Sequence, residues 1–314
     1  KATFLQGRGI DYESYDWVGY GPGGTTVTEQ APIGQTEQAA FAHRYQGSGY
    51  PITGVSFVSD SNGAYAGMFG VNTGTLEDIV IVTEKEQEEA PTARLGGVIQ
   101  KRQGYVGVLA GKNAGTVDNC AVAGYGLELH LYSGSTVYVG GLVGQNTGNI
   151  RRSSAVTPAM TATNTYAQLH IGGFVGSNQG QIRQSYALAS VDVPVNRRGD
   201  TTLAGFAGEN LSTIRNSYCA TALSSAGAAT YGFAPAGGSV ANSYYLNNGT
   251  YTFAGAIHLY DFQDPNTGAS PVDDQTLAGL WLSGFGYADG TRSFAYPNTE
   301  AAAGSAYPYP TSVT

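Results

Sequence analysis

The chain has 314 residues, of which 46 are glycine and only 12% are charged, a profile of short strands and tight turns rather than of packed helices. Its 41% hydrophobic content is enough to fill an interior, which argues against disorder. The net charge of −8 and the pI near 4.9 argue against a general polyanion binder such as a non-specific nucleic-acid protein. No apolar run approaches the length that spans a bilayer, so membrane insertion is not expected, and Lys1–Phe4 does not open a signal peptide, as expected of a mature or trimmed chain.

Residues 1–50 hold aromatic and Gly-rich turns and are expected to form an N-terminal cap with the first coil, with a short helical piece around Glu37–Arg44. A cap is needed because an open coil presents unpaired edge groups and apolar surface.

Residues 51–244 carry a repeat. Six segments align: "AGMFGVNTGTLEDI" from 66, "GVLAGKNAGTVDNC" from 107, "GGLVGQNTGNIRRS" from 140, "GGFVGSNQGQIRQS" from 172, "AGFAGENLSTIRNS" from 204 and a shortened "YGFAPAGGSVANS" from 231. Their starts lie 41, 33, 32, 32 and 27 residues apart, a period that signals a repeat architecture. An acidic insertion at 84–102 lengthens the first of these coils. Flanking runs such as "STVYVGGLVG" and "TYAQLHIGGFVG" read as strands rich in β-branched and aromatic residues.

If successive coils pair as parallel strands, each aligned column stacks equivalent residues about 4.8 Å apart. Met68, Leu109, Leu142, Phe174, Phe206 and Phe233 then form one core ladder, and Leu76, Val117, Ile150, Ile182, Ile214 and Val240 another. Gly74, Gly115, Gly148 and Gly180 close a turn two residues after an Asn, where glycine permits positive φ or close backbone approach. The Asn column itself, Asn72, Asn113, Asn146, Asn178 and Asn210, reads either as amides hydrogen-bonding along the axis or as a binding row. Cys120 and Cys219 fall three coils apart, roughly 14 Å at that rise, too far for a disulfide, so two free, largely buried thiols are expected.

From 245 to 314 the period is lost. There "DDQTLAGLWLSG" offers Asp273 or Asp274 as an N-cap for a short amphipathic helix with Leu277, Leu280 and Trp281, within a C-terminal cap that ends in an extended tail. The expected fold is therefore all-β: a single right-handed parallel β-helix, or β-solenoid, with irregular N- and C-terminal caps.

The segments "GGLVGQNTGNI" and "GGFVGSNQGQIRQSYA" resemble the GLUG motif, the Gly-Leu-x-Gly repeat of bacterial surface and secreted proteins. The likeness covers about residues 66–244; "RYQGSGYPITGVSF" from 44 resembles the coil that precedes such arrays, and "SYYLNNGTY" and "AYPYP" the way they finish. It implies an extracellular or cell-surface location, an adhesin-like role and a place within a larger surface protein. Similar repeats accompany immunoglobulin A metalloproteases, but this chain has no His-Glu-x-x-His stretch, and His43, His130, His170 and His258 are isolated.

Catalytic constellations are scarce. β-Helix lyases and hydrolases need paired carboxylates, or a carboxylate with a basic residue, on one face. The nearest acids are Asp60, Asp78 and Asp118, with Glu77, Asp192 and Asp200, and they read first as solvated turn carboxylates. Asp261, Asp264, Asp273 and Asp274 match no calcium loop with defined ligand positions. No nucleophile elbow, phosphate loop or Cys/His cluster occurs, so no catalytic residue, metal or cofactor is expected.

The most distinctive functional signal is a column of arginines, Arg151, Arg183 and Arg215, with Arg152 beside the first. Like charges about 4.8 Å apart repel by roughly 1 kcal/mol even in a water-like dielectric. The repulsion is met by solvation, by Glu77 and Asp118 in the same column, or by an acidic ligand bridging two guanidinium forks. Tyr186, Tyr218 and Tyr244 run alongside, suited to sugar stacking, to protein contact or to cross-strand stabilisation. The expected function is a non-catalytic module binding a host or environmental glycan or protein through these residues; a carbohydrate-active enzyme built from connecting loops and a passive spacer are the alternatives.

Overall fold

The structure is a computed structural model that describes residues 1–11, 19–20, 26–27, 32–55, 64–82, 92–93, 103–124, 126–130, 136–163, 167–194, 201–241, 243–246, 269–272, 294–295 and 309–310. It is an all-β solenoid of parallel sheets, with no helix among the described residues.

Each of the first five repeats contributes one strand to each of four sheets, and the shortened sixth contributes to three of them. Thr136–Gly140 and Gln168–Gly172 belong to an approach sheet, which leads into a glycine sheet of Phe69–Asn72, Ala110–Asn113, Val143–Asn146, Val175–Asn178 and Ala207–Asn210. The chain then turns into an arginine sheet of eight short strands, Thr3–Leu5, Arg44–Gln46, Thr75–Glu77, Thr116–Asp118, Asn149–Arg151, Gln181–Arg183, Thr213–Arg215 and Ser239–Ala241. It closes through a long sheet that includes Ser154–Thr163, Tyr186–Val193 and Tyr218–Ser225. The expected columns are in register, for example Val117↔Ile150↔Ile182↔Ile214↔Val240.

Alternation along the strand explains why three residues suffice for a rung of the arginine sheet. In Gln181–Arg183 the middle Ile182 points into the core while its two neighbours are exposed. Met68, Leu109, Leu142, Phe174, Phe206 and Phe233 are all buried, and the last three stack ring on ring at 4.7 Å. Each such side chain contributes about 1.5–3 kcal/mol by leaving water, and no coil could bury its own face alone.

The asparagine column is an amide ladder. Asn72 Nδ2 donates to Asn113 Oδ1 at 2.8 Å, and Asn113 to Asn146, Asn146 to Asn178 and Asn178 to Asn210 at 2.9 Å. All five side chains are buried, which removes them as a ligand row. The turn glycines after them are required by proximity, not by φ: a Cβ on Gly148 would lie 2.1 Å from the Gly115 carbonyl oxygen. Left-handed backbone falls instead on a non-glycine column at the next corner, Asp78, Asn119, Arg152, Gln184 and Asn216, with φ from 50 to 54°.

Neither cysteine forms a disulfide and both are buried; Cys120 Sγ lies 3.4 Å from the Asp118 carbonyl oxygen and Cys219 Sγ 3.3 Å from that of Gly232. Burial pushes the Cys120 thiol well above its ordinary value.

One expectation about the N-terminal end changes. No helix forms over Glu37–Arg44: Ala39 N closes a single turn onto Thr36, Phe41 bridges to Asn72, and Arg44 already opens a strand. Ladder pairing and packing of the Phe41 ring 5.1 Å from Phe69 outweigh a helix of so few residues. The sheets also continue into both caps, through the pairing of Thr3–Leu5 with Arg44–Gln46 and of Ser243–Leu246 with Ala269–Val272. The helix expected after Asp273 lies outside the described residues.

Candidate functional site

The outer surface of the arginine sheet carries two parallel columns, because each three-residue strand turns its first and third side chains outward. The first column runs Thr75, Thr116, Asn149, Gln181, Thr213, Ser239, and the second Glu77, Asp118, Arg151, Arg183, Arg215, Ala241, all in parallel register. The second column therefore changes sign midway, from two carboxylates to three guanidiniums.

At that junction the charges pair. Asp118 is buried at 3% exposure and takes both arginines of the next rung: Arg152 forks onto it through Nε and Nη2, and Arg151 Nη2 reaches Oδ2 at 2.5 Å. Hydrogen bonding to Asp118 raises Arg152 above the ordinary arginine value, against the opposing effect of burial. One rung earlier, Arg44 binds Glu77, and Asp78 accepts a 2.7 Å hydrogen bond from Asn119 Nδ2. The repulsion expected along the column is thus relieved at Arg151 by Asp118, a salt bridge within the sheet.

This corrects the expected binding set. Arg152 is a structural residue committed to Asp118, and Arg151 gives part of its guanidinium to the same acid. Arg183 and Arg215 are exposed and have no acidic partner among the described residues. Tyr186 and Tyr218 stack at 5.0 Å and 3°, but at 3% and 0% exposure their faces meet each other and not solvent, so they serve as cross-strand stabilisers. Tyr244 continues their backbone column, and its side chain lies outside the described residues.

Three features went unread in the sequence. Ser153, Ser185, Ser217 and Ser243 form a buried ladder in which each hydroxyl donates to the carbonyl two residues before it, as in Ser153 Oγ to Arg151 O at 2.8 Å. Each also accepts from the backbone N–H one rung away, Cys120 N to Ser153 Oγ at 3.1 Å being the first. Their signal was the serine that closes "IRRS", "IRQS" and "IRNS". On the approach sheet, Tyr65, Tyr105, Tyr138 and His170 stack at 4.9–5.5 Å. Tyr65 donates to Glu37, which Lys112 and Tyr65 together hold below the ordinary carboxylate range. The aromatic at the centre of "TVYVG" and "QLHIG" could have revealed this row. Its rings present edges outward, since their faces are used by one another. The third feature is Ser177, whose buried hydroxyl donates to Glu209 on the glycine sheet at 2.7 Å.

Among the described residues no three His, Cys, Asp or Glu side chains gather as a metal site. Asp60, Asp200 and the four acids considered for calcium lie outside the described residues. Asp192 stands half-buried on the long sheet, opposite Thr161 and Ser224.

Compared with models of known protein families and with curated proteins, the chain matches none.

Proposed function

We propose that this chain is a non-catalytic, adhesin-like binding module that presents the arginine sheet to an anionic glycan or protein surface outside the cell. The observation that carries this reading is the pair of exposed, acid-free guanidiniums, Arg183 and Arg215, held one rung apart on a rigid sheet and flanked by the exposed amides of Asn149 and Gln181. A fixed row of forks suits bidentate recognition of carboxylates, sulfates or phosphates, at little entropic cost to the scaffold. The protein as a whole is acidic, so the patch is a local exception to a field that repels anions elsewhere.

Likeness to GLUG repeats supports a bacterial cell-surface or secreted setting, and a solenoid of this kind would serve as one segment of a larger surface protein. The carboxylates nearest the patch are engaged by Arg44, Asn119, Arg151 and Arg152, which favours binding over glycosidic chemistry at this face.

The test is a glycan array probed with the full chain and with the double variant Arg183→Ala/Arg215→Ala. Anionic hits lost in the variant support the reading. Hits that ignore both substitutions rule out the arginine sheet, and a chain without hits is left with the passive spacer role.

A further inference from the structure

We infer that Arg183 and Arg215 together clamp one tetrahedral oxyanion, the sulfate or phosphate monoester of a sugar, between their two guanidiniums; this rests on the binding-module reading above. Parallel pairing holds the two residues on adjacent strands, about 4.8 Å apart at the backbone, and both side chains leave the sheet on its outer surface. At that spacing two long side chains can turn onto a single anion. Their mutual repulsion is then offset by attraction to a shared partner.

The same sheet shows what a carboxylate does between two arginines. Asp118 accepts the whole fork of Arg152, from Nε on Oδ1 and from Nη2 on Oδ2, and Arg151 is left with a single contact, Nη2 on Oδ2. Arg151 Nε is buried there and has no hydrogen-bond partner among the described residues. With only two oxygens, a carboxylate serves one fork in full and the second in part.

A ligand that satisfies both forks therefore needs a third terminal oxygen. A sulfate or phosphate monoester has three, placed so that two planar forks each take one edge and share the oxygen between them. A uronate has two, and so does the phosphodiester of a nucleic acid, so each would repeat the shortfall seen at Asp118.

The surroundings fit an ester carried on a sugar. Gln181, exposed, and Thr213, half-buried, stand two residues before the arginines on the same two strands, and they supply both donors and acceptors for sugar hydroxyls. No charge opposes the anion from either end of the pair. The rung after Arg215 holds Ala241, and on the other side Asp118 is outnumbered by Arg151 and Arg152.

NMR titration of the full chain, read at the arginine Nε–H signals, tests this with galactose 6-sulfate, galactose 6-phosphate, galacturonate and dithymidylate as probes. The Arg183 and Arg215 signals are expected to follow one saturation curve at one ester per chain. Arg183→Ala or Arg215→Ala alone should abolish the response of the arginine that remains, and Arg183→Lys, which keeps the charge without the fork, should weaken binding about ten-fold. The esters should bind about ten-fold more tightly than galacturonate or dithymidylate, as for one added charge-assisted contact. Acidification through about pH 6 separates the two sources, since it removes charge from the phosphate ester and weakens it while leaving the sulfate ester unchanged. A response to one ester alone supports the clamp and names its source. Equal affinity for galacturonate or dithymidylate, or separate saturation curves for the two arginines, would overturn the clamp while leaving an arginine-dependent module in place. Silence of both arginines toward all four probes would also overturn it, and silence together with an empty glycan array would remove the module reading itself.

Discussion

Arg152 closes a fork on Asp118 across 34 positions of sequence, with Nε 2.6 Å from Oδ1, and does so from a left-handed backbone at φ 53°. A β-turn corner that places a long cationic residue in this conformation is unfavourable by itself, by about 1–2 kcal/mol. The charge-assisted fork to a buried carboxylate offsets that cost and welds two successive coils at the point where the outer column changes sign.

Asp118→Asn is expected to lower stability by about 2–3 kcal/mol, because the near-isosteric amide keeps the volume but removes the charge that two guanidiniums share. Urea denaturation measures the loss. The same variant releases Arg151 and Arg152, so anion binding at the arginine sheet should rise as stability falls. A drop in both would show that the fork positions the row and does not compete for it.

Asn146→Ala removes two links of the amide ladder and the 3.2 Å bond that Asn146 Oδ1 accepts from Gly148 N. It leaves Asn113 Nδ2 and Asn178 Oδ1 facing a void inside the solenoid. A loss of about 3 kcal/mol is expected, and roughly half that for Asn72→Ala at the ladder's end, where one link is cut. Equal midpoints for the two variants in chemical denaturation would argue against cooperation along the ladder.

The stacked row on the approach sheet gives an alkaline limit. Desolvation, then the charge of Glu209, push the Tyr138 phenol up from 10.0 to about 12, and Tyr65 and Tyr105 are raised as well, each chiefly by burial. A group whose folded pKa lies above its unfolded one binds more protons in the native state. Its contribution is therefore complete below pH 10 and is lost as pH rises through about 12. Denaturation midpoints should fall across that window while tyrosinate absorbance lags behind that of free tyrosine, and Tyr138→Phe should flatten the fall. An unchanged slope in the variant would place the sensitivity elsewhere.

Periodicity made the architecture readable. Residues that must stack to exclude water, such as Leu142 above Leu109 and Ile182 above Ile150, recur at a constant offset, and so do the asparagines whose amides can bond only to copies of themselves. The candidate site was half visible for the same reason: Arg151, Arg183 and Arg215 share an offset, and alternation about Ile150, Ile182 and Ile214 places them outside. The turn glycines were read correctly as special, but only coordinates separate close approach from positive φ, since both demand a missing Cβ.

What the sequence by itself determined is thus whatever repeats: the parallel stacking, the core ladders, the amide ladder and the separation of the two cysteines. Tertiary structure alone decided what depends on contacts between unlike residues. Which arginines are engaged by Asp118, whether Tyr186 and Tyr218 see solvent, and that Phe41 bridges to Asn72 instead of entering a helix all turn on neighbours from other coils. Periodicity reports which residues occupy equivalent places; charge pairing and burial depend on what stands opposite each of them.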